Sequence, residues 1–217
     1  MAHPSLSLQR AYSFAGGHHM RNLLWTLALG LVACSTPSGV TPISVPLQYK
    51  LQASPGEFTA APPCAEVADV VVSDARTEKS LGKRFVEGRN AASAPVTASN
   101  DVAAWVRAGA LDALKRAGAG TSKSVAPTLT ISIDQITTSE NVLHRSGYEG
   151  RIVFTAELQR AGSVCWKDRV DGFSENYGYS GSVENYQETL NHALDRAMIH
   201  LLANPDFRKA ACSCGGA

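Results

Sequence analysis

Few side chains in this sequence combine the types and spacings that chemistry requires. Asp74 and Arg76 end the apolar run 67-VADVVVSDAR-76 and, two residues apart on an extended chain, face the same side. There they would hold a polar ligand or partner. The same two residues also serve structurally if Asp74 accepts backbone N–H groups in a turn and Arg76 pairs across a sheet. Asp168, Asp171 and Glu175 gather in 163-SVCWKDRVDGFSENY-177. A paired acid and base must share one side, whereas Asp168 and Asp171 point to opposite faces of a regular strand. Their expected partners are Lys167, Arg169 or Arg151. Tyr177 and Tyr179 are candidates for a partner surface, since aromatic residues are enriched there.

Other combinations fail on spacing. His192 and His200 are eight apart on one predicted helix, roughly 12 Å, too far for a single metal ion. His144 stands apart, and the His18-His19 pair has no further ligand nearby. Cys212-Ser213-Cys214 alone supplies too few of the four ligands that structural zinc takes. The segment 118-GAGTSKS-124 imitates a phosphate loop, but Ser122 stands where glycine is required, and the segment leaves a helix to enter a strand, the reverse of the working order. No Gly-x-Ser-x-Gly elbow is present. The expectation is a non-catalytic protein with no cofactor, no metal and no nucleotide.

A definite covalent chemistry does attach to 23-LLWTLALGLVAC-34. Leu23 to Val32 carry no charge and are too few to span a bilayer, which takes about 20 apolar residues, but they match the apolar core of a secretory signal. Arg21 supplies the positive flank, and translation is expected to start at Met20. Leu31-Val32-Ala33-Cys34 resembles the bacterial lipobox. That resemblance implies a diacylglycerol on the Cys34 thiol and cleavage that makes Cys34 the N-terminus. Ser35 in place of an aspartate implies the outer membrane, periplasmic face. Several acyl chains anchor stably at about 0.8 kcal/mol per buried methylene. Residues 1–33 are then a leader, and 34–44, rich in Ser, Thr, Pro and Gly, a tether.

Composition bounds the remainder. The formal charge is +1, and loss of Arg10 and Arg21 with the leader removes two bases and no acid. No basic surplus points to nucleic acid. Apart from Cys34, the cysteines are Cys64, Cys165, Cys212 and Cys214, and export permits bridges between them. Four cysteines allow three pairings. Cys64–Cys165 is the favoured one, because both flank strands of one sheet.

The elements that must position these residues follow from periodicity. In 45-VPLQYKL-51, Val45, Leu47, Tyr49 and Leu51 alternate, and Pro46 confines the strand to an edge. The run 67–76 reads as a strand covered on both faces, and 77–99 as irregular with a loose hairpin over Arg84–Glu87 and Val96–Ala98. Ser99 or Asn100 caps a helix from Asp101 to Ala117, with Val102, Trp105, Val106, Gly109, Ala113 and Leu114 as its apolar stripe. Next come 128-TLTISID-134, 151-RIVFTAEL-158 and 163–177, three antiparallel strands with a turn at Ala161-Gly162. Ser182 caps a last helix, Val183 to Ala203, which Asn204-Pro205 ends. Its stripe includes Tyr186, which is therefore core. The fold class is α+β, a two-layer sandwich with a mixed, mainly antiparallel sheet and two helices on one face. The domain is 45–205, and 206–217 is a flexible tail.

The carrying segments 70-VVVSDAR-76, Gly82, 100-NDVAAWV-106 and 129-LTISIDQI-136, behind a lipobox, resemble the YajG-type bacterial lipoproteins over most of residues 45–203. The resemblance implies an envelope location and an α+β domain, and no reaction. The function expected is a lipid-anchored envelope lipoprotein, held at the membrane by acyl chains on Cys34, that binds another envelope protein. Alternatives are an auxiliary lipoprotein of lipid or lipopolysaccharide transport, and an envelope hydrolase.

Overall fold

The computed structural model describes residues 40–86, 91–119, 126–142 and 146–214. All of the described residues belong to one compact unit, Pro37–Ala217. Cys34, Lys123, Ser124 and His144 lie outside the described residues.

Strands β1 (Ile43–Val45), β2 (Asp69–Asp74), β3 (Gly82–Val86) and β4 (Ala92–Ala98) precede helix α1 (Val102–Arg116). Strands β5 (Thr128–Asn141), β6 (Ser146–Arg160) and β7 (Ser163–Gly178) follow, then helices α2 (Val183–Ala203) and α3 (Pro205–Ser213). The strands form one mixed sheet in the order β1-β4-β3-β5-β6-β7, with β2 also on β5. One edge of β5 is shared in parallel, by β2 along Thr128–Ile133 and by β3 along Thr138–Asn141. The helices pack on one face, giving a two-layer α+β sandwich with a single core that runs through α1, α2 and the inner faces of β5 and β6.

Capping explains the helix limits. Asp101, not Ser99 or Asn100, caps α1, accepting from Ala103 N and Ala104 N. Asn100 is taken by Leu47, whose N–H and C=O it bonds at 2.7 Å each. Gly118 ends α1 with φ +74, a left-handed conformation that glycine adopts without a Cβ penalty. Ser182 caps α2 by accepting from Asn185 N.

Four expectations need correction. The edge strand expected over 45–51 does not form: β1 shares only Val45 with it and stops before Pro46, which has no N–H for the ladder. The alternation beyond it is real, but the chain leaves the sheet and lies on the helices, where Asn191 of α2 donates to Gln48 O and Asp195 accepts from Gln52 N and Ala53 N. The tether is shorter than 34–44, since Val40 is buried and β1 starts at Ile43. The tail is ordered as far as Cys214: Asn204 ends α2 and also caps α3, accepting from Asp206 N and Phe207 N, while Phe207, Ala210 and Ala211 are buried. Finally, the disulfides are Cys64–Cys212 and Cys165–Cys214, with Cα separations of 5.0 and 5.9 Å, and not Cys64–Cys165. Strands β5 and β6 stand between β2 and β7. At about 4.8 Å per strand that places the two sites beyond a disulfide's reach, and α3 brings a cysteine to each.

Candidate functional site

The face of the sheet away from the helices is the open one, and its character follows from small residues in β6 and β7. A Cβ built on Gly172 would stand 2.0 Å from Ala193 O, and one on Gly150 would stand 2.9 Å from Thr189 Cγ2. The α2 backbone therefore lies directly on the strands there. The alternation of β7 then turns Asp171, Phe173, Glu175 and Tyr177 outward.

Across this face runs a continuous furrow. Its middle, about 540 Å³, is walled by Lys83, Thr137, Ser139, Glu149, Arg151 and Phe173. Towards β2 it passes through Ser80, Gly82 and Thr137 into a recess of about 410 Å³ bordered by Arg76, Asp134 and Arg169. Towards the far end of β7 it passes through Ser139 and Glu149 into one of about 230 Å³ bordered by Phe85, Glu175 and Tyr177. Phe173 is 42% and Tyr177 73% exposed. Two exposed aromatic rings on a sheet face that no described helix covers are suited to contact with another molecule.

The predicted residues divide between this furrow and structural duties. Arg76 borders one end, but its guanidinium is buried and grips Asp74 through two bonds of 2.8 and 2.9 Å and Ser80 O at 3.2 Å. Hydrogen bonding from Arg76 outweighs partial burial and holds the Asp74 carboxyl down to about 2. Tyr177 lies at the other end, over Gly147, its cross-strand neighbour. Tyr179 is fully in solvent and uses its carbonyl to accept from Tyr148. Asp171 meets Arg151 on the open face at 2.9 Å, whereas Asp168 turns to the helices and accepts from Asn204 at 3.0 Å. His200 bonds Asp171 O at 2.8 Å. The structure thus places Arg76, Glu175 and Tyr177 along one furrow, sets Asp171 beside it through its ion pair with Arg151, and leaves Asp168 and Tyr179 outside it.

Sequence reasoning missed a buried polar cluster on the covered side. Glu140, fully buried, accepts from Gly181 N (2.7 Å), Ser180 Oγ (2.9 Å) and Tyr186 Oη (2.7 Å), and Arg84 Nε approaches it at 2.9 Å. That Nε–H is not aimed along the line, so this contact is charge to charge. Burial would raise the Glu140 carboxyl, but the bonds from Tyr186, Gly181 and Ser180 and the Arg84 charge outweigh it and hold it below its ordinary value. Burial, reinforced by the carboxylate, pushes the Tyr186 hydroxyl up. Alternation read from the sequence misplaces Glu140, because a bulge between Ile133 and Gln135 shifts the pleat and puts it in phase with Ile136 and not with Ile133.

An auxiliary role in lipid transport would favour a pocket between sheet and helices. The space of about 10 Å³ among Val67, Leu114, Leu202 and Phe207, at most one water position, is walled by the helices and residues 61–67 and by no strand, so it is not that pocket. Among the described residues no group of His, Cys, Asp and Glu side chains could hold a metal ion, and no helix is long and apolar enough to cross a membrane.

No protein-family model matches the chain, and no curated protein does. Among solved structures, it is similar to a Xanthomonas campestris protein described with the family model DUF330, at 12% identity over 77% of this chain and 96% of that one, with a TM-score of 0.46. It is also similar to a minor lipoprotein from Acinetobacter baumannii, at 10% identity over 63% of this chain and 90% of that one, with a TM-score of 0.35. Neither description names the YajG type.

Proposed function

We propose that this chain is a lipid-anchored lipoprotein of the bacterial envelope, held by acyl chains on Cys34 at the periplasmic face of the outer membrane. Its role is non-catalytic: it docks another envelope protein on the open face of its sheet. The observation that carries the reading is the furrow along that face, with Phe173 and Tyr177 exposed in it. Three of the candidate carboxylates have structural partners: Asp74 is held by Arg76, Asp171 by Arg151, and Asp168 by Asn204.

Two measurements in cells test it. Cys34→Ser should release the protein from membranes and abolish a lipid mass on the N-terminal peptide; retention at wild-type levels sinks the anchor. A photo-crosslinking residue at position 173 should trap a discrete envelope protein, and the same residue at exposed Lys50, away from the furrow, should not. Failure to trap any protein from position 173 removes the docking role.

A further inference from the structure

Resting on that docking role, we propose that the Tyr177 end of the furrow receives a lysine or arginine side chain, presented by an extended segment of the partner protein. The motive is an imbalance of charge. On this face Arg151 is paired with Asp171 at 2.9 Å, Lys167 with Glu157 at 2.8 Å and Arg169 with Asp134 at 3.9 Å. Glu149 and Glu175 break the pattern. They are direct cross-strand neighbours of β6 and β7, an arrangement in which like charges repel. Neither has an ion-pair partner among the described residues; Glu149 accepts only a neutral hydroxyl, Ser139 Oγ at 3.2 Å. Lys83 reaches neither carboxylate and stands over the Phe85 ring, 5.7 Å from its centroid.

The recess holding these carboxylates is bordered by Phe85 and Tyr177. Two carboxylates beside an exposed aromatic face attract a cation both by charge and through the ring's quadrupole. A cation from outside would also offset the repulsion expected between these cross-strand carboxylates. The same geometry gives the partner a pattern. Phe173 and Glu175 are two residues apart on β7, so they repeat at about 6.8 Å, the spacing of alternate side chains on any extended segment. A partner strand laid along the furrow would therefore set an apolar side chain over Phe173 and, two residues on, its cation at Glu175.

The test uses the intact protein in neutral phosphatidylcholine nanodiscs and two capped hexapeptides that share one valine. One peptide bears lysine two residues after the valine, and the other bears glutamate there. The lysine peptide should shift the NMR signals of Glu149, Glu175 and Tyr177 saturably, with the E149Q/E175Q double variant at least tenfold weaker, and the glutamate peptide should leave them unmoved. With no ligand present, E175Q should raise the melting temperature by about 1–2 °C, as removal of a repulsion requires. Equal response to both peptides, no response, undiminished binding by the double variant, or shifts that track protein concentration alone each overturn the proposal. The two readings part in cells. If position 173 still traps its partner in the double variant as in wild type, docking stands and the cation subsite falls; if position 173 traps nothing, the docking role itself falls.

Discussion

The two faces of the sheet treat charge in opposite ways. On the helix-covered side the buried ionic and amide groups are closely matched: Glu140 by Arg84, whose Nε meets it as charge alone, and by Tyr186, Ser180 and Gly181, and Asp195 by Tyr49 Oη at 2.7 Å and two backbone N–H groups. Asn191 joins Trp105 Nε1 to Gln48 O. Without water, an unmatched group there would cost several kcal/mol, so the cover enforces the matching. On the open face the ion pairs are solvated and contribute at most about 1 kcal/mol each. A mismatch such as Glu149 opposite Glu175 is tolerated there. The open face is therefore where the fold can carry a binding surface at small cost in stability.

The contrast predicts its largest effect at Glu140. Replacing it with alanine leaves Arg84 charged, buried and unpaired and removes the acceptor of three further donors, at a cost of about 3–5 kcal/mol. Urea unfolding with the disulfides intact measures this. The partly apolar double variant Arg84→Met with Glu140→Leu should recover much of the loss, because the uncompensated charge is then gone. A Glu140→Ala protein as stable as wild type would mean that the covered face does not depend on its charge matching.

A smaller effect lies at the seam between the faces, where Asp74 and Arg76 close one end of the furrow. The Asp74 carboxyl is held down to about 2 from an ordinary 3.8, Arg76 being the main cause. A depressed carboxyl contributes stability that is complete above its unfolded value and is lost as pH falls through the folded one, here between about pH 4 and pH 2. Its carboxylate is about one-fifth exposed, so screening reduces the contribution to on the order of 1 kcal/mol. Glu140, also held low, contributes in the same direction. Unfolding free energy should drop between pH 4.5 and pH 2.5, and by less in Asp74→Asn; an equal drop in both would free Asp74 from this role.

How much of this was legible in the residues depends on how local the signal is. The helices were readable because their determinants are local: Ser182 and Asn204-Pro205 bracket α2, and the stripe from Trp105 to Leu114 marks α1. The hairpin at Ala161-Gly162 was equally local, both residues taking positive φ. What escaped depended on remote partners. Nothing near Tyr49 reveals that Asp195, far along the chain, will hold its hydroxyl. Nothing near Cys212 selects Cys64 until α3 is known to be a helix lying across the sandwich. Of the candidate site, the outward-facing aromatics and acids of β7 were visible from alternation, but the furrow that unites them with Arg76 needed the sharing of β5 by β2 and β3.

The smallest predicted effect is also the sharpest use of the contrast, because it sets neighbours against each other. Gly172 and Phe173 are consecutive in β7 and face opposite layers: the first lies against the α2 backbone, the second stands 42% exposed beside its cross-strand neighbour Arg151. Phe173→Thr keeps a residue that suits a strand and removes a ring that no helix covers. Its stability should therefore change by no more than about 0.5 kcal/mol in urea unfolding, the range of ordinary surface substitutions. If the ring is retained for a partner, crosslinking from the neighbouring furrow position Arg151 should fall sharply in the same variant while its fold is intact. A loss of stability above about 2 kcal/mol would instead make Phe173 a member of the core, and the open face would no longer be free surface.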